Sequence, residues 1–371
     1  MMSSPLRIAV IGTRGFPNVQ GGIEKHCEEL YTRLAKRGLN VRVYARRGYA
    51  NSLVDYGNKL EVVPLWTIRN KYIETLVHSF VAAIHAASDP KHFDIIHIHG
   101  IGPSVVVPLL KLLGFAVVVT NHGADYQRQK WGNLTRGILR LGEFLGTCHA
   151  DAVIAVSQHI QQFLEQKYSR PVFYIPNGMT APQPTHAGSF LRELGVSQSC
   201  YFLSVCRWVP EKGLHDLLTA FSRLDTDWKL VIAGRADHPD NYSISLRAQA
   251  KQDARVVLPG YVTGTHLTEL YSNAGLYISP SYHEGLSLSI LEAMSYNLPI
   301  ACSDIPANVE LIADEQFHFR AGDIEGLLQA MRAAVAGNTP RILDSTSVIL
   351  SEFRWDDIAE KTDALYRKSI D

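Results

Sequence analysis

The chain has 371 residues, 46% hydrophobic and 19% charged, the balance of a soluble globular protein long enough for two α/β domains with full cores. Residues 1–170 hold 20 Lys and Arg against 12 Asp and Glu, and the remainder holds 16 against 24; this suits a basic half that faces an anionic acceptor or membrane, or reflects composition plus the need to hold a diphosphate. No run of about 18 apolar residues occurs, so no transmembrane helix is expected, and residues 1–7 read as leading into a strand and not as a signal peptide.

In chain order, residues 7–12 read as a buried first strand. Residues 24–36 follow as an amphipathic helix closed by Gly38, and residues 41–45 as the second strand. Further strands are expected at 61–65, 94–99, 116–120, 152–156 and 172–175, with helical patterns between most of them. Residues 176–178 and 180–188 are rich in Pro, Thr and Gly, which places a linker at 178–196. A second alternation has strands at 201–206, 230–234, 255–258, 276–279 and 300–304, and an amphipathic helix spans about 356–367. The fold class expected is α/β, with two Rossmann-like doubly wound domains (1–177 and 197–352) facing across a ligand-binding cleft, and residues 353–371 returning to the first domain. Cys27, Cys148, Cys200, Cys206 and Cys302 show no paired metal spacing. Their mostly apolar flanks read as buried free thiols of a reducing compartment.

The most telling stretch runs from Ser279 to Met294. An apolar strand enters a polar loop carrying Glu284 and Gly285, and a helix-forming run beginning at Leu286, Ser287 and Leu288 carries Glu292. Ligands of open α/β sheets bind where strands end, and the first amides of the following helix suit a phosphate. Carboxylates hold sugar hydroxyls, so the combination is the chemistry of a sugar nucleotide. Arg207 and Lys212 follow the first strand of the second domain, where two cations around a turn clamp a diphosphate; solvated loop charges are the plainer account. Gly21 and Gly22 let backbone approach a ligand at a helix start, although a structural turn explains them equally well. Arg14 breaks the dinucleotide fingerprint that this loop would otherwise offer. His122 ends an apolar strand and could touch a reacting sugar, yet lone histidines are more often structural. Asp225 and Asp227 have a metal-binding spacing but precede a strand, the wrong end for a site. His283 and the pair His97 and His99 lack further ligands at useful spacing.

Together these residues resemble one family. The chain is similar to a retaining glycosyltransferase of the GT-B architecture, family 4, on Gly21-Gly22, His122, Asn177, Arg207, Lys212, Glu284 with Glu292, and the ending Phe353-Arg354-Trp355-Asp356. The opening from Gly12 to Lys25 resembles a bacterial subgroup often described as rhamnosyltransferases; Ser287 stands where many members have proline. The resemblance implies that Glu292 binds ribose and that Arg207 and Lys212 neutralise the leaving diphosphate with the amides of Leu286, Ser287 and Leu288. It implies further that Glu284 holds the transferred sugar, that Gly21 and Gly22 close over the phosphates, and that His122 lies near sugar and acceptor. No metal or other cofactor is implied. The partners implied are a nucleotide-diphosphate sugar carrying a hexose or deoxyhexose and a glycan or lipid-linked acceptor of bacterial cell-surface polysaccharide synthesis. The setting is cytoplasmic, with peripheral contact to an anionic membrane and no nucleic acid. The acceptor is expected on the first domain, near the basic, aromatic segment 125–131 and the Arg136 and Arg140 of the next helix. The rival readings are a sugar-nucleotide 2-epimerase of the same architecture and a catalytically silent sugar-nucleotide sensor.

Overall fold

The computed structural model describes residues 5–50, 53–57, 59–68, 70, 73–124, 126, 132–237, 239–338 and 351–370. The chain forms two units, one of Met1–Gly178 with Phe353–Asp371 and one of Met179–Glu352.

The first unit comprises β1 (Arg7–Ile11), α1 (Gly22–Lys36), β2 (Asn40–Arg46), β3 (Val54–Asp55), β4 (Leu60–Leu65), α2 (Glu74–Ala87), β5 (Ile95–His99), α3 (Val107–Leu112), β6 (Ala116–Asn121), α4 (Asn133–His149), β7 (Ala152–Ala155), α5 (Gln158–Tyr168) and β8 (Phe173–Tyr174). The sheet order is β3-β4-β2-β1-β5-β6-β7-β8. Its strands run parallel except β3, a two-residue edge strand antiparallel to β4 that is too short to leave a periodic signal. Ile8 to Ile11 are fully buried, as expected of a central strand covered on both faces. β5 is buried throughout although it carries His97 and His99, so both rings need internal partners. The C-terminal helix (Trp355–Ile370) belongs to this unit and pairs with α1 through Arg33 Nε and Asp356 Oδ1, 3.1 Å apart. Its first residue explains a glycine: a Cβ on Gly178 would lie 2.4 Å from the Trp355 ring.

The second unit contains α6 (Ser189–Glu193), β9 (Tyr201–Val205), α7 (Leu214–Ser222), β10 (Lys229–Ala233), α8 (Asn241–Ala250), β11 (Val256–Gly260), α9 (Gly264–Asn273), β12 (Leu276–Ser279), α10 (Leu288–Ser295), β13 (Ile300–Ser303), α11 (Pro306–Leu311), β14 (His318–Phe319) and α12 (Ile324–Val335). All its strands pair in parallel, in the order β11-β10-β9-β12-β13-β14. Phe202, Leu230, Ile232, Leu276 and Ile278 meet Leu217, Phe221 and Met331 from the helices in one buried cluster. The segment 178–196 is not the bare linker its composition suggested. Glu269 Oε1 accepts from the amides of Gly188 and Leu191 at 2.6 and 3.1 Å, and Asn273 Nδ2 donates to the Thr185 carbonyl at 3.1 Å. Side chains of α9 thus tie 185–193 into the second unit, a partnership that local composition does not encode.

Candidate active site

In the second sheet the chain steps outward from β9 to β10 and β11, then returns to β12 on the other side of β9. The loops after β9 and β12 therefore lie side by side at the topological switch point, at the strands' carboxyl ends where open α/β sheets bind ligands. Gly213 sets the geometry of the two loops. It ends the 3-10 turn Pro210–Lys212 with φ of +64°, and a Cβ there would lie 2.0 Å from the Pro280 carbonyl oxygen. Only glycine permits both the backbone angle and the approach.

This approach carries Lys212 onto Glu284. The Lys212 ammonium donates to Glu284 Oε1, and Ser281 Oγ donates to the same oxygen at 2.7 Å. The loop is braced by Ser303 Oγ, which donates to the Ser281 carbonyl at 2.5 Å, and by the Tyr282 hydroxyl, which donates to Asp216 at 2.5 Å. Burial by itself would push the Glu284 carboxyl up, but the Lys212 charge and the hydrogen bonds from Lys212 and Ser281 outweigh it. They hold the group below the usual carboxylate range. Arg207 turns instead to Asp237, with Nη1 to Oδ2 at 2.9 Å. The two cations share a neighbour in Cys206, whose thiol is pushed up to about 11, chiefly by burial, and feels the charges of Lys212, Glu284 and Arg207.

The loop after β12 passes Gly285 and the buried Leu286 and Ser287 into α10, which begins at Leu288. Ser287 Oγ caps the helix by accepting from the Ile290 amide at 3.4 Å, two residues beyond the last of the three amides expected to meet a phosphate. Serine thus performs a capping role that proline could not. Glu292 lies on α10 and accepts from the buried Tyr271 hydroxyl at 2.9 Å. Tyr271 stacks on Tyr296, centroids 5.5 Å apart; nothing in the sequence pairs α9 with Glu292, and so this support escaped sequence reasoning. Asp225 and Asp227 are exposed at the amino end of β10, with the charge of Arg255 close by.

In the first unit, Arg14 folds into its own loop. Its Nε and Nη2 donate to Glu24 at 3.0 Å, and Nη2 also donates to the Gln20 carbonyl at 2.5 Å. A Cβ on Gly21, φ +154°, would lie 2.0 Å from Glu24 Oε2 and 2.5 Å from Arg14 Nη2. The buried Arg14–Glu24 pair therefore accounts for Gly21 as a structural turn, while Gly22 opens α1.

His122, after β6, is half-buried and not alone. Its Nε2 lies 3.0 Å from His99 Nδ1, and His99 Nε2 lies 2.5 Å from the Tyr31 hydroxyl, which is 2.8 Å from His97 Nδ1. His97 Nδ1 also meets the Tyr366 hydroxyl at 2.5 Å, and its Nε2 meets Thr120 Oγ1 at 2.7 Å. His26, on α1, meets Asn177 Oδ1 through Nδ1 at 2.8 Å and packs edge-on against His122 and Trp355. Burial lowers His26 to about 4 and drives His97, His99 and His122 well below the usual imidazole range. The expectation that His99 lacks further ligands fails: nitrogens of His26, His99 and His122 all lie within 4.8 Å of one another. Three elements far apart in sequence supply them.

On α4, Arg140 is exposed with its guanidinium over the Tyr126 ring, 5.4 Å from the centroid. Leu134, Leu141 and Phe144 of the same helix are exposed at 81%, 51% and 45%. Residues 125 and 127–131 lie outside the described residues. Cys27 and Cys302 are buried and all five cysteines are free, but Cys200 is exposed, against the expectation of buried thiols. Among the described residues no helix is long and apolar enough to cross a membrane.

Residues 20–181 match the sequence family described as Glycosyltransferase Family 4, and residues 192–343 match Glycosyl transferases group 1. The chain is 31% identical over 277 residues to the alpha-maltose-1-phosphate synthase of Mycobacterium tuberculosis, covering 66% of this chain and 68% of that one. Among solved structures it resembles the sucrose-phosphate synthase from Thermosynechococcus elongatus, with a TM-score of 0.84 at 21% identity over 98% of each chain. It also resembles Anabaena HepE in complex with UDP-glucose, with a TM-score of 0.79 at 18% identity over 98% of this chain and 100% of that one.

Proposed function

The chain belongs to the family 4 glycosyltransferases of the GT-B architecture, and from that premise we propose a retaining, metal-independent enzyme using a nucleotide-diphosphate sugar. It moves a hexose or deoxyhexose to a glycan or lipid-linked acceptor in bacterial cell-surface polysaccharide synthesis. The observation that carries this reading is the Lys212–Glu284–Ser281 cluster at the switch point between β9 and β12. It joins a cation for phosphate to a carboxylate for sugar hydroxyls, directly before a helix start.

An ammonium has three donors and Glu284 uses one, so Lys212 can bind the diphosphate while it keeps Glu284 ionised. Arg207 adds a second cation, and the amides of Leu286, Ser287 and Leu288 add dipoles at the start of α10. Glu292, oriented by Tyr271, takes the ribose hydroxyls. As the bond from the anomeric carbon to the phosphate oxygen breaks, these groups meet the negative charge on the diphosphate, and the Glu284 carboxylate faces the positive charge on the flattening ring. The acceptor oxygen bonds to the anomeric carbon from the face being vacated. Its proton passes to the departing phosphate oxygen, so configuration is retained and no protein base of tuned pKa is needed. To the first unit we assign the acceptor, with the neutral His122 as a hydrogen-bonding partner for sugar and acceptor hydroxyls. The exposed Leu134, Leu141 and Phe144 with Arg140 suit the surface of an anionic membrane holding a lipid-linked acceptor on its cytoplasmic face.

The test is a panel of UDP-, GDP- and dTDP-sugars scored first by thermal shift, since binding to the native state raises the melting temperature. Donors that bind are then incubated with lipid-linked and soluble glycan acceptors. Acceptor-dependent release of nucleoside diphosphate, with an anomeric configuration matching the donor's, is expected. No stabilisation by any sugar nucleotide, or a product of inverted configuration, would overturn the proposal.

A further inference from the structure

We propose that His26, His99 and His122 form a site for a divalent transition metal of the zinc class. One nitrogen of each ring lies within 4.8 Å of the others. His99 Nδ1 and His122 Nε2 are already 3.0 Å apart, in a hydrogen bond whose proton the ion displaces. A tetrahedral ion held at 2.0–2.1 Å by imidazoles needs pairs about 3.3 Å apart, so the widest separation must close by at most roughly 1.5 Å.

The second observation is His26 Nε2. Its residue is 3% exposed, and that nitrogen has no hydrogen-bond partner. A buried polar atom left in this way is uncommon and costly. The opposite nitrogen meets Asn177 Oδ1 at 2.8 Å. Because an amide oxygen only accepts, His26 Nδ1 carries the proton and Nε2 presents a lone pair. For His99 the partner is a hydroxyl, which can donate or accept. If its Nε2–H donates to the Tyr31 oxygen, the Tyr31 hydroxyl donates to His97 Nδ1, His97 Nε2–H donates to Thr120, and Nδ1 of His99 is left as a ligand. Rings whose far nitrogen is fixed by an oxygen acceptor are the usual construction of a histidine metal site.

The chemistry of the set selects the ion. Three neutral imidazoles with neither carboxylate nor thiolate suit zinc, cobalt, nickel or copper and not magnesium or calcium. His122, half-buried where the other two are buried, gives the ion its approach. Three protein ligands leave the fourth position for water or another small ligand.

The experiment uses the full chain without a histidine tag, stripped with chelator and dialysed. Zinc chloride is titrated by calorimetry, and cobalt chloride by visible absorption, which reports tetrahedral geometry. One ion per chain with a Kd on the order of 1 µM or tighter is expected. His26→Gln and His122→Asn should each weaken binding by about tenfold or more and abolish the tetrahedral cobalt bands. His122→Asn, at the half-buried position, keeps the test open if the His26 variant does not fold. Absence of saturable binding in the wild type, or equal affinity in wild type and variants, would overturn the proposal.

Discussion

Replacement of Lys212 by Met separates the two roles given to this side chain, because it partners Glu284 and faces the diphosphate. The Lys212 and Glu284 side chains are only 17% and 12% exposed, and Lys212→Met leaves the carboxylate with the Ser281 hydroxyl. Orphaning one member of a buried pair costs about 3–5 kcal/mol, and the residual exposure puts the expected loss near the lower end. Glu284→Gln in the same chain removes the stranded charge, so the double variant should recover about 1–3 kcal/mol of it. Turnover should not recover. A preorganised stabiliser of the leaving group contributes about 2–4 kcal/mol, and at 1.36 kcal/mol per decade that is a loss of about 30-fold to several hundredfold. The pH dependence has a definite sign. In the wild type the folded carboxyl titrates below its unfolded value, so its stabilisation is full above the unfolded pKa and fades as pH falls through the folded one. In Lys212→Met, burial without a cation raises the folded pKa, and stability is gained on acidification from neutral pH. The gap between the proteins should therefore be widest near neutrality and narrow in acid. Urea unfolding followed by tryptophan fluorescence from pH 4 to 8 measures the stability, and donor-dependent release of nucleoside diphosphate measures the rate. A single variant with wild-type stability and turnover, or a double variant that regains turnover, would refute the reasoning.

Arg207→Ala should lower turnover by at least about tenfold, with little change in unfolding free energy, because its partly exposed pair with Asp237 belongs to a class contributing about 0–1 kcal/mol; unchanged turnover would remove Arg207 from the phosphate clamp. Glu292→Gln should mainly raise the donor's KM, since ribose does not change during transfer, whereas Glu284→Gln should mainly lower kcat; steady-state kinetics at saturating acceptor would show the assignment reversed if the two patterns were exchanged. Turnover should persist in excess EDTA, and should rise if the purified enzyme carries an ion on His122; complete loss restored by magnesium or manganese would contradict the cationic clamp.

Continuous apolar runs made the strands of both sheets readable except the two-residue β3 and β14, and Arg207, Lys212, Glu284 and Glu292 stood out as candidates because each follows a strand's carboxyl end. Their pairing was not. Nothing local tells Lys212 to meet Glu284 and Arg207 to meet Asp237; the close passage of Gly213 against the Pro280 carbonyl decides it. The period of two along β5 put His97 and His99 on one face, where their rings stack 4.3 Å apart. What that face meets depends on how α1, the loop after β6 and the C-terminal helix pack, and hence His26, His122, Tyr31 and Tyr366 gather where spacing suggested isolated histidines. Arg14 marked the failure of the dinucleotide fingerprint without revealing the cause, which is its buried bond to Glu24.

The uneven charge of the halves survives internal pairing, because all but one of the acidic partners lie in the same half, so the excess sits on other cations. Several first-half arginines are engaged internally: Arg14 with Glu24, Arg33 with Glu29 and Asp356, Arg42 with Glu61 and Asp89, and Arg46 with Glu74. Their charge is compensated within a few ångströms and contributes little beyond a Debye length. The second half is acidic in sum, yet it places Lys212 and Arg207 at the switch between β9 and β12. The corresponding switch of the first unit, between β1 and β5, leads instead to imidazoles that burial keeps neutral. A diphosphate is recognised by cations it can touch, so the half with the negative sum is the better donor half. The neutral histidine–tyrosine network suits an uncharged hydroxyl or, once a proton is displaced, a metal ion.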